Sequence, residues 1–152
     1  MNDSANFTEY VTFTMAGQIF GLPIERVQEV FRPARITRVP LAGAQIAGVL
    51  NLRGRIVTAI DMRNRLDLHG RDDIKARMAI GIESATESFG LLVDALGEVL
   101  KLSDSDREPN PVNLDRRLAR VSAGVYRLDG QLMVILDIDN VLDLAPETAA
   151  AA

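Results

Sequence analysis

The stretch I-A-G-V-L-N-L-R-G-R-I-V-T-A-I-D-M-R-N-R-L, Ile46–Leu66, decides how this chain is organised, because most of it occurs twice. When the sequence is shifted by 76 positions, Ala47–Leu68 falls on Ala123–Leu144. Ten of these 22 positions are identical, and the shared residues include glycines, leucines and an aspartate. An internal match of this length at a fixed spacing indicates a repeated structural unit.

A second match lies upstream, at a spacing of 69 residues. There Phe20-Gly21-Leu22 falls on Phe89-Gly90-Leu91, and Glu29-Val30 falls on Glu98-Val99. Both matches keep the same order along the chain, so the sequence predicts two copies of one unit, with approximate subdomains at 7–70 and 76–144. Residues 1–6 and 145–152 are expected to be flexible termini.

Length and composition are those of an ordinary globular protein: 152 residues, a net charge of −4 and no cysteine. The lack of cysteine excludes disulfides, thiolate metal sites and cysteine nucleophiles. Basic residues form no run longer than a pair and aromatic residues are few, so we expect no nucleic-acid partner. Neither a signal segment nor an apolar run of the ~20 residues that cross a bilayer occurs, which predicts a cytoplasmic protein without membrane insertion.

Alternating apolar and polar residues between glycine-containing turns predict many short strands. Two short helices are expected after aspartates placed as N-caps, Asp61 and Asp137. A tight helical turn is also expected before the third strand of each copy, from Pro23 and at 94–97. One copy alone is marginal for a core, so the pattern predicts an all-β fold with a few short helices. Two small barrels or sandwiches would share apolar surface, with strand exchange between them allowed. The predicted strands are 7–15, 19–22, 47–52, 55–60, 77–83, 89–93 and 98–102, and the predicted helices are 62–66 and 138–142.

The two copies differ at the turn of one hairpin. In the second copy it contains Asp129 and Gly130, a pair that favours a type I′ turn with positive φ at both residues. In the first copy it contains Arg53 and Gly54, and arginine seldom accepts positive φ. Two interpretations stay open: Arg53 is retained for function, or the turn is of another type.

Charged neighbours of that turn raise two further hypotheses. Arg55 and Arg63 follow closely in sequence, which suggests a local cationic patch. Glu29 lies on an apolar stripe with Val27 and Val30, where it is either a functional group or a residue that faces solvent.

Catalytic motifs are lacking: no glycine-rich dinucleotide or phosphate loop, nucleophile elbow or zinc-binding H-E-x-x-H occurs. His69, the single histidine, and the acidic residues of 104–108 are expected in solvated loops. The start of a calcium loop at 137–140 lacks its glycine and terminal glutamate. An acid/base pair of Asp61 and Asp137 is a distant alternative to capping. The sequence therefore predicts no catalytic residue, metal or cofactor.

The run G-V-L-N-L-R-G-R-I-V-T-A-I-D-M-R (Gly48–Arg63) resembles the CheW family of bacterial chemotaxis coupling proteins. Val39-Pro40 and the segment F-G-L-P-I-E-R-V-Q-E-V (Phe20–Val30) before it add to the resemblance, which covers about 7–144. Met62 stands where leucine is usual, a volume-conserving change. The resemblance implies one domain made of two five-stranded, SH3-like β-barrel subdomains, and a stand-alone adaptor.

The same resemblance implies a non-catalytic function in membrane-associated signalling arrays. Its partners would be the regulatory domain of the histidine kinase CheA and the cytoplasmic hairpin tip of methyl-accepting chemoreceptors. By position, the receptor-binding groove would contain Val27, Glu29, Val30, Gly48 and Arg53; kinase-binding residues are not assigned. Two alternatives remain, a CheW-like coupler or paralogue for a non-motility kinase pathway and a small β-barrel enzyme that uses the two aspartates.

Overall fold

The computed structural model describes residues 6–33, 35–68 and 78–143. Within these ranges the chain forms ten strands, three one-turn α-helices and two 3-10 turns. The first part contains β1 (Phe7–Met15), β2 (Gln18–Pro23), a 3-10 turn (Ile24–Arg26), β3 (Val27–Phe31), β4 (Ile46–Leu52), β5 (Arg55–Asp61) and α1 (Met62–Arg65). The second part contains β6 (Met78–Ser84), β7 (Glu87–Val93), β8 (Ala95–Ser103), a 3-10 turn (Asp104–Asp106), α2 (Arg116–Ala119), β9 (Ser122–Leu128), β10 (Gln131–Leu136) and α3 (Ile138–Val141).

The strands form two five-stranded sheets, which confirms the predicted all-β fold class. The first sheet has the order β8-β1-β2-β10-β9, and the second has the order β3-β6-β7-β5-β4. Neighbouring strands are antiparallel except for the pairs β2–β10 and β5–β7, which are parallel. Closure of each sheet into a barrel stays a prediction.

The internal repeat is visible in this topology. β4 begins at Ile46 and its counterpart β9 begins 76 residues later, at Ser122, while β2 and β7 begin 69 residues apart. Counterpart strands occupy the same place in the two sheet orders. The first hairpin of each copy, β1–β2 or β6–β7, lies in the sheet whose other three strands belong to the opposite copy. The subdomain limits at 70 and 76 stay a prediction.

The main hydrophobic core lies between the sheets. It combines side chains of the first sheet, including the stacked rings of Phe13 and Phe20, with Ile80 and Leu91 of the second. Two smaller clusters each belong to one sheet, around Tyr10 in the first and around Leu50, Val57 and Ala59 in the second. Burial of a shared apolar surface explains why two units of marginal size are stable together.

One local prediction was wrong, and one helix was missed. A helical turn was expected at 94–97, but β8 begins at Ala95, which pairs with Thr14 of β1. The helix α2 was not predicted, although Asp115 caps it by accepting a hydrogen bond from the Arg117 backbone N–H. His69, Arg77 of a predicted strand, and the predicted flexible residues 1–5 and 145–152 lie outside the described residues. Among the described helices, none has the length and apolar character needed to cross a bilayer.

Candidate partner-binding surface

Arg53 and Glu29, two of the predicted groove residues, form an ion pair. Arg53 Nη2 donates to both carboxylate oxygens of Glu29. Glu29 lies on β3 and Arg53 follows β4, and these strands are the opposite edges of the second sheet. The sheet therefore curves until its edges are within side-chain reach. The Arg53 side chain is 69% exposed, so the pair stabilises the fold by at most about 1 kcal/mol.

The turn that holds Arg53 has the strained geometry that arginine disfavours. Arg53 has a φ of 50° and Gly54 a φ of 85°, as a type I′ turn requires. The interpretation that this turn is of another type is therefore wrong. In the other copy φ is positive at Gly130 but not at Asp129, so the predicted type I′ turn is wrong there. Of these two counterpart turn residues, Arg53 has the positive φ and forms an ion pair.

The other two predicted residues on β3 point elsewhere. Val30 follows Glu29 and faces the opposite side of the sheet, where it is 43% exposed. Val27 packs in part against the main core, and a register shift separates it from Glu29. Such a bulge re-aims the side chains that follow it. Of these three residues, Glu29 is the one that pairs with Arg53.

Gly48 has a packing role. It has a φ of 148°, and a Cβ atom built there would lie 2.2 Å from the carbonyl oxygen of Thr37. This close approach lets Thr37 pair with Val49 through two backbone hydrogen bonds of 2.8 Å. Gly48 lies five residues before Arg53, roughly 16 Å along the strand. Its part in receptor binding stays a prediction.

The hypothesis of a cationic patch at Arg55 and Arg63 is wrong, because each guanidinium faces a carboxylate. Arg55 Nη2 lies 3.7 Å from Glu83 and donates to Ser88 Oγ at 2.6 Å. Arg63 forms a two-bond ion pair with Asp94. The two arginines also lie at opposite ends of β5, Arg55 at its first residue and Arg63 on the helix that follows it.

The aspartates proposed as caps act as caps. Asp61 Oδ1 accepts from the Asn64 backbone N–H at 3.2 Å, and Asp137 Oδ1 accepts from the Asn140 N–H at 3.3 Å. Each carboxylate thus satisfies an N–H at the start of its own helix. Within the described ranges, no group of three or more His, Cys, Asp or Glu residues is placed to hold a metal ion.

The two copies differ in the packing of their smaller apolar clusters. In the first sheet the smaller cluster is filled by Tyr10 and Tyr126, whose rings meet edge to face at a centroid distance of 5.4 Å. Their counterparts in the second sheet, at the spacings of 69 and 76, are Ala79 and Leu50.

Beside this sparser cluster lies a groove of about 320 Å³. Phe31, Leu52 and Ile56 line it, and Ile56 is 65% exposed. We call it the edge groove, since it runs between β3 and β4. Sequence reasoning missed these lining residues, although comparison of Ala79 with Tyr10 and of Leu50 with Tyr126 carries the signal.

The duplicated β-fold resembles that of known proteins. The CheW-like domain family matches residues 9–145. The chain belongs to the CheW-like family. This CheW-like chain is 30% identical to the chemotaxis protein CheW of Rhizobium meliloti over 145 residues, which cover 93% of the chain and 92% of that protein.

Two further proteins resemble this CheW-like chain. The crystal structure of the scaffolding protein TtCheW from Thermoanaerobacter tengcongensis superposes with a TM-score of 0.82 at 28% identity, and covers 95% of this chain and 93% of that one. The chemotaxis protein CheA of Salmonella typhimurium is 27% identical over 138 residues, which are 90% of this chain and 20% of that protein. The fold and the family thus agree.

Proposed function

We propose that this chain is a non-catalytic chemotaxis adaptor, which couples the cytoplasmic tips of methyl-accepting chemoreceptors to the regulatory domain of CheA. The observation that carries the proposal is the Glu29–Arg53 ion pair. Its residues stand two positions before Phe31 and one position after Leu52, and both of these line the edge groove. Arg53 keeps an exposed charge at a strained φ and gains little stability from its partner. A residue that breaks the local rule without a structural benefit is a candidate for function.

The edge groove suits the proposed receptor segment. A helical hairpin has an apolar face that fits an apolar groove, and the groove offers Phe31, Leu52 and Ile56. Arg32 and Arg35 line the groove as well, and the Glu29–Arg53 pair, close to it in sequence, adds one charge of each sign for the polar side of that hairpin. Charges of this kind mainly set specificity and association rate.

The same proposal holds that the chain is not an enzyme and that it works in the cytoplasm. Capping occupies Asp61 and Asp137, which weakens the alternative of an acid/base pair. Similarity to a protein described as a scaffold also favours an adaptor. An adaptor for receptor tips works in the cytoplasm beside the membrane-associated arrays. A coupler for a non-motility kinase has the same fold, and only its partners distinguish it.

The proposal is tested by titrating the full chain with a purified receptor-tip fragment and, separately, with the CheA regulatory domain from the same cell. The variants are Glu29→Lys and Arg53→Ala. The internal repeat supplies matched controls, Glu98→Lys and Asp129→Ala, which change the counterpart positions of the second copy.

We expect saturable binding to both partners, with the first two variants weakening only the receptor arm. Circular dichroism checks that each variant is folded. If the wild type bound neither partner, the adaptor proposal would be rejected. Equal losses in the test variants and the controls would show that the receptor site does not depend on the Glu29–Arg53 pair.

A further inference from the structure

A second groove lies at the other end of β4 from Arg53. It measures about 880 Å³ and is bounded by the connection from β3 to β4, the start of β4 and the start of α1. Its lining includes Ile36, Val39, Ile46 and Leu92, with Asp61 and Asn64 on the helix side. We call it the connection groove. The predicted receptor-binding residues do not line it.

Apolar side chains stand exposed beside this groove. Leu41 is 96% exposed and has a φ of 67°, and Val39, on the groove rim, is 41% exposed. A leucine in the left-handed region is strained, and its outward side chain gains nothing from the core. Exposed apolar groups next to a concave surface indicate an interaction site.

Two arginines give the groove a charge. Arg32 and Arg38 line it and are exposed. In the described ranges neither pairs with a carboxylate, whereas Arg53, Arg55 and Arg63 all do. The net charge of the chain is −4, so this positive edge is a local feature. Asp61, on the opposite wall, already accepts a hydrogen bond within α1.

We propose that the connection groove is a docking site for an acidic peptide segment of a partner protein. The segment places carboxylates against Arg32 and Arg38, and an apolar side chain against Val39 and Leu41. Charge complementarity selects an acidic occupant, because a basic segment would meet two unpaired guanidinium groups. An anionic membrane is disfavoured, since the site is concave and the chain as a whole is acidic.

The test uses fluorescence anisotropy with the full-length chain. The probe is a short labelled peptide in which glutamate alternates with leucine; a second peptide carries glutamine in place of glutamate, and phosphatidylserine vesicles provide the anionic surface. The variants are Arg38→Glu and Leu41→Ser. Arg116→Glu, an exposed position on α2, makes the same charge change away from the groove.

We expect the acidic peptide to bind in a salt-sensitive way, and Arg38→Glu to weaken it about tenfold because attraction becomes repulsion. Leu41→Ser weakens it by less, and Arg116→Glu leaves it unchanged. Lack of binding, equal binding of the glutamine peptide, equal effects of Arg38→Glu and Arg116→Glu, or preference for the vesicles would each overturn the proposal. Arg53→Ala leaves this binding intact, so its outcome is independent of the receptor arm.

Discussion

Arg63 holds Asp94 through two parallel hydrogen bonds, Nε to Oδ1 at 2.9 Å and Nη2 to Oδ2 at 2.7 Å. Asp94 Oδ2 also accepts from the backbone N–H of Ala16 at 2.8 Å. Arg63 lies on α1, directly after a strand of the second sheet, and Ala16 lies in the β1–β2 turn of the first. One carboxylate thus connects the two sheets outside their apolar core.

Removal of this connection is expected to destabilise the fold. Both side chains are nearly buried, at 11% and 13% exposure, and Asp94→Ala leaves the Arg63 guanidinium without this carboxylate. The expected loss is about 3 kcal/mol in the free energy of unfolding, measured by urea denaturation. Arg127→Ala, which breaks the exposed pair with Glu108, should cost within about 1 kcal/mol. Similar losses in the two variants would show that the Arg63–Asp94 pair stabilises the fold no more than an exposed pair does.

Gly48→Ala should disrupt the approach of Thr37 to β4. The added methyl group would lie 2.2 Å from a backbone oxygen, which cannot rotate away. We expect a loss of more than about 2 kcal/mol by urea denaturation. Gly54→Ala is the control, because its added Cβ atom would meet nothing within 4 Å. Only the strain of alanine at a positive φ should lower the free energy of unfolding there, by about 1 kcal/mol. Equal losses would mean that backbone conformation alone explains both glycines.

Arg53→Asn should separate stability from binding. Asparagine suits a type I′ turn and relieves the strain at Arg53, which offsets the loss of an exposed ion pair. Thermal unfolding is expected to place this variant within about 1 kcal/mol of the wild type. Binding of the receptor tip should nevertheless fall. A variant that binds normally would make the ion pair dispensable for the proposed function.

The carboxyl of Asp115 should titrate in acid. Hydrogen bonds from the Arg117 side chain and backbone N–H lower its pKa from 3.8 to about 2. Since the folded pKa lies below the unfolded value, the ionised form favours folding above pH 3.8, and this contribution fades as the pH falls towards 2. NMR titration of Arg117→Ala should give a midpoint closer to 3.8, whereas Arg127→Ala should leave it unchanged. An unaltered midpoint in Arg117→Ala would remove Arg117 as the cause.

Local pattern was sufficient for most strands and both capped helices of the repeat. Alternation between apolar and polar residues located β1, and Asp61 marked the start of α1, because both signals act within a few residues. The turn expected at 94–97 failed for the opposite reason: pairing of Ala95 with Thr14 is a long-range contact, and it overrides local preference.

The candidate site was predicted only in part. The hairpin turn singled out Arg53, and the apolar stripe and the resemblance singled out Glu29. None of these signals indicated that the two residues form an ion pair. Their contact depends on the curvature of a whole sheet, which brings its two edges together. The carboxylates that pair with Arg55 and Arg63 lie far along the chain and reach them only through the tertiary fold. Two arginines that are close in sequence were therefore mistaken for a cationic patch.

The exchange of hairpins between the copies also constrains the order in which the chain can fold during synthesis. Phe20 of β2 pairs with Val134 of β10, so the first sheet joins residues from both ends of the described sequence. β10 attaches β9 to that sheet, and neither can be in place until synthesis has passed residue 136. During translation the β2 edge of the β1–β2 hairpin therefore stays without its β10 partner until the last strand has been made. Contacts so distant in sequence slow folding. The incompletely synthesised chain can meanwhile aggregate or bind a chaperone.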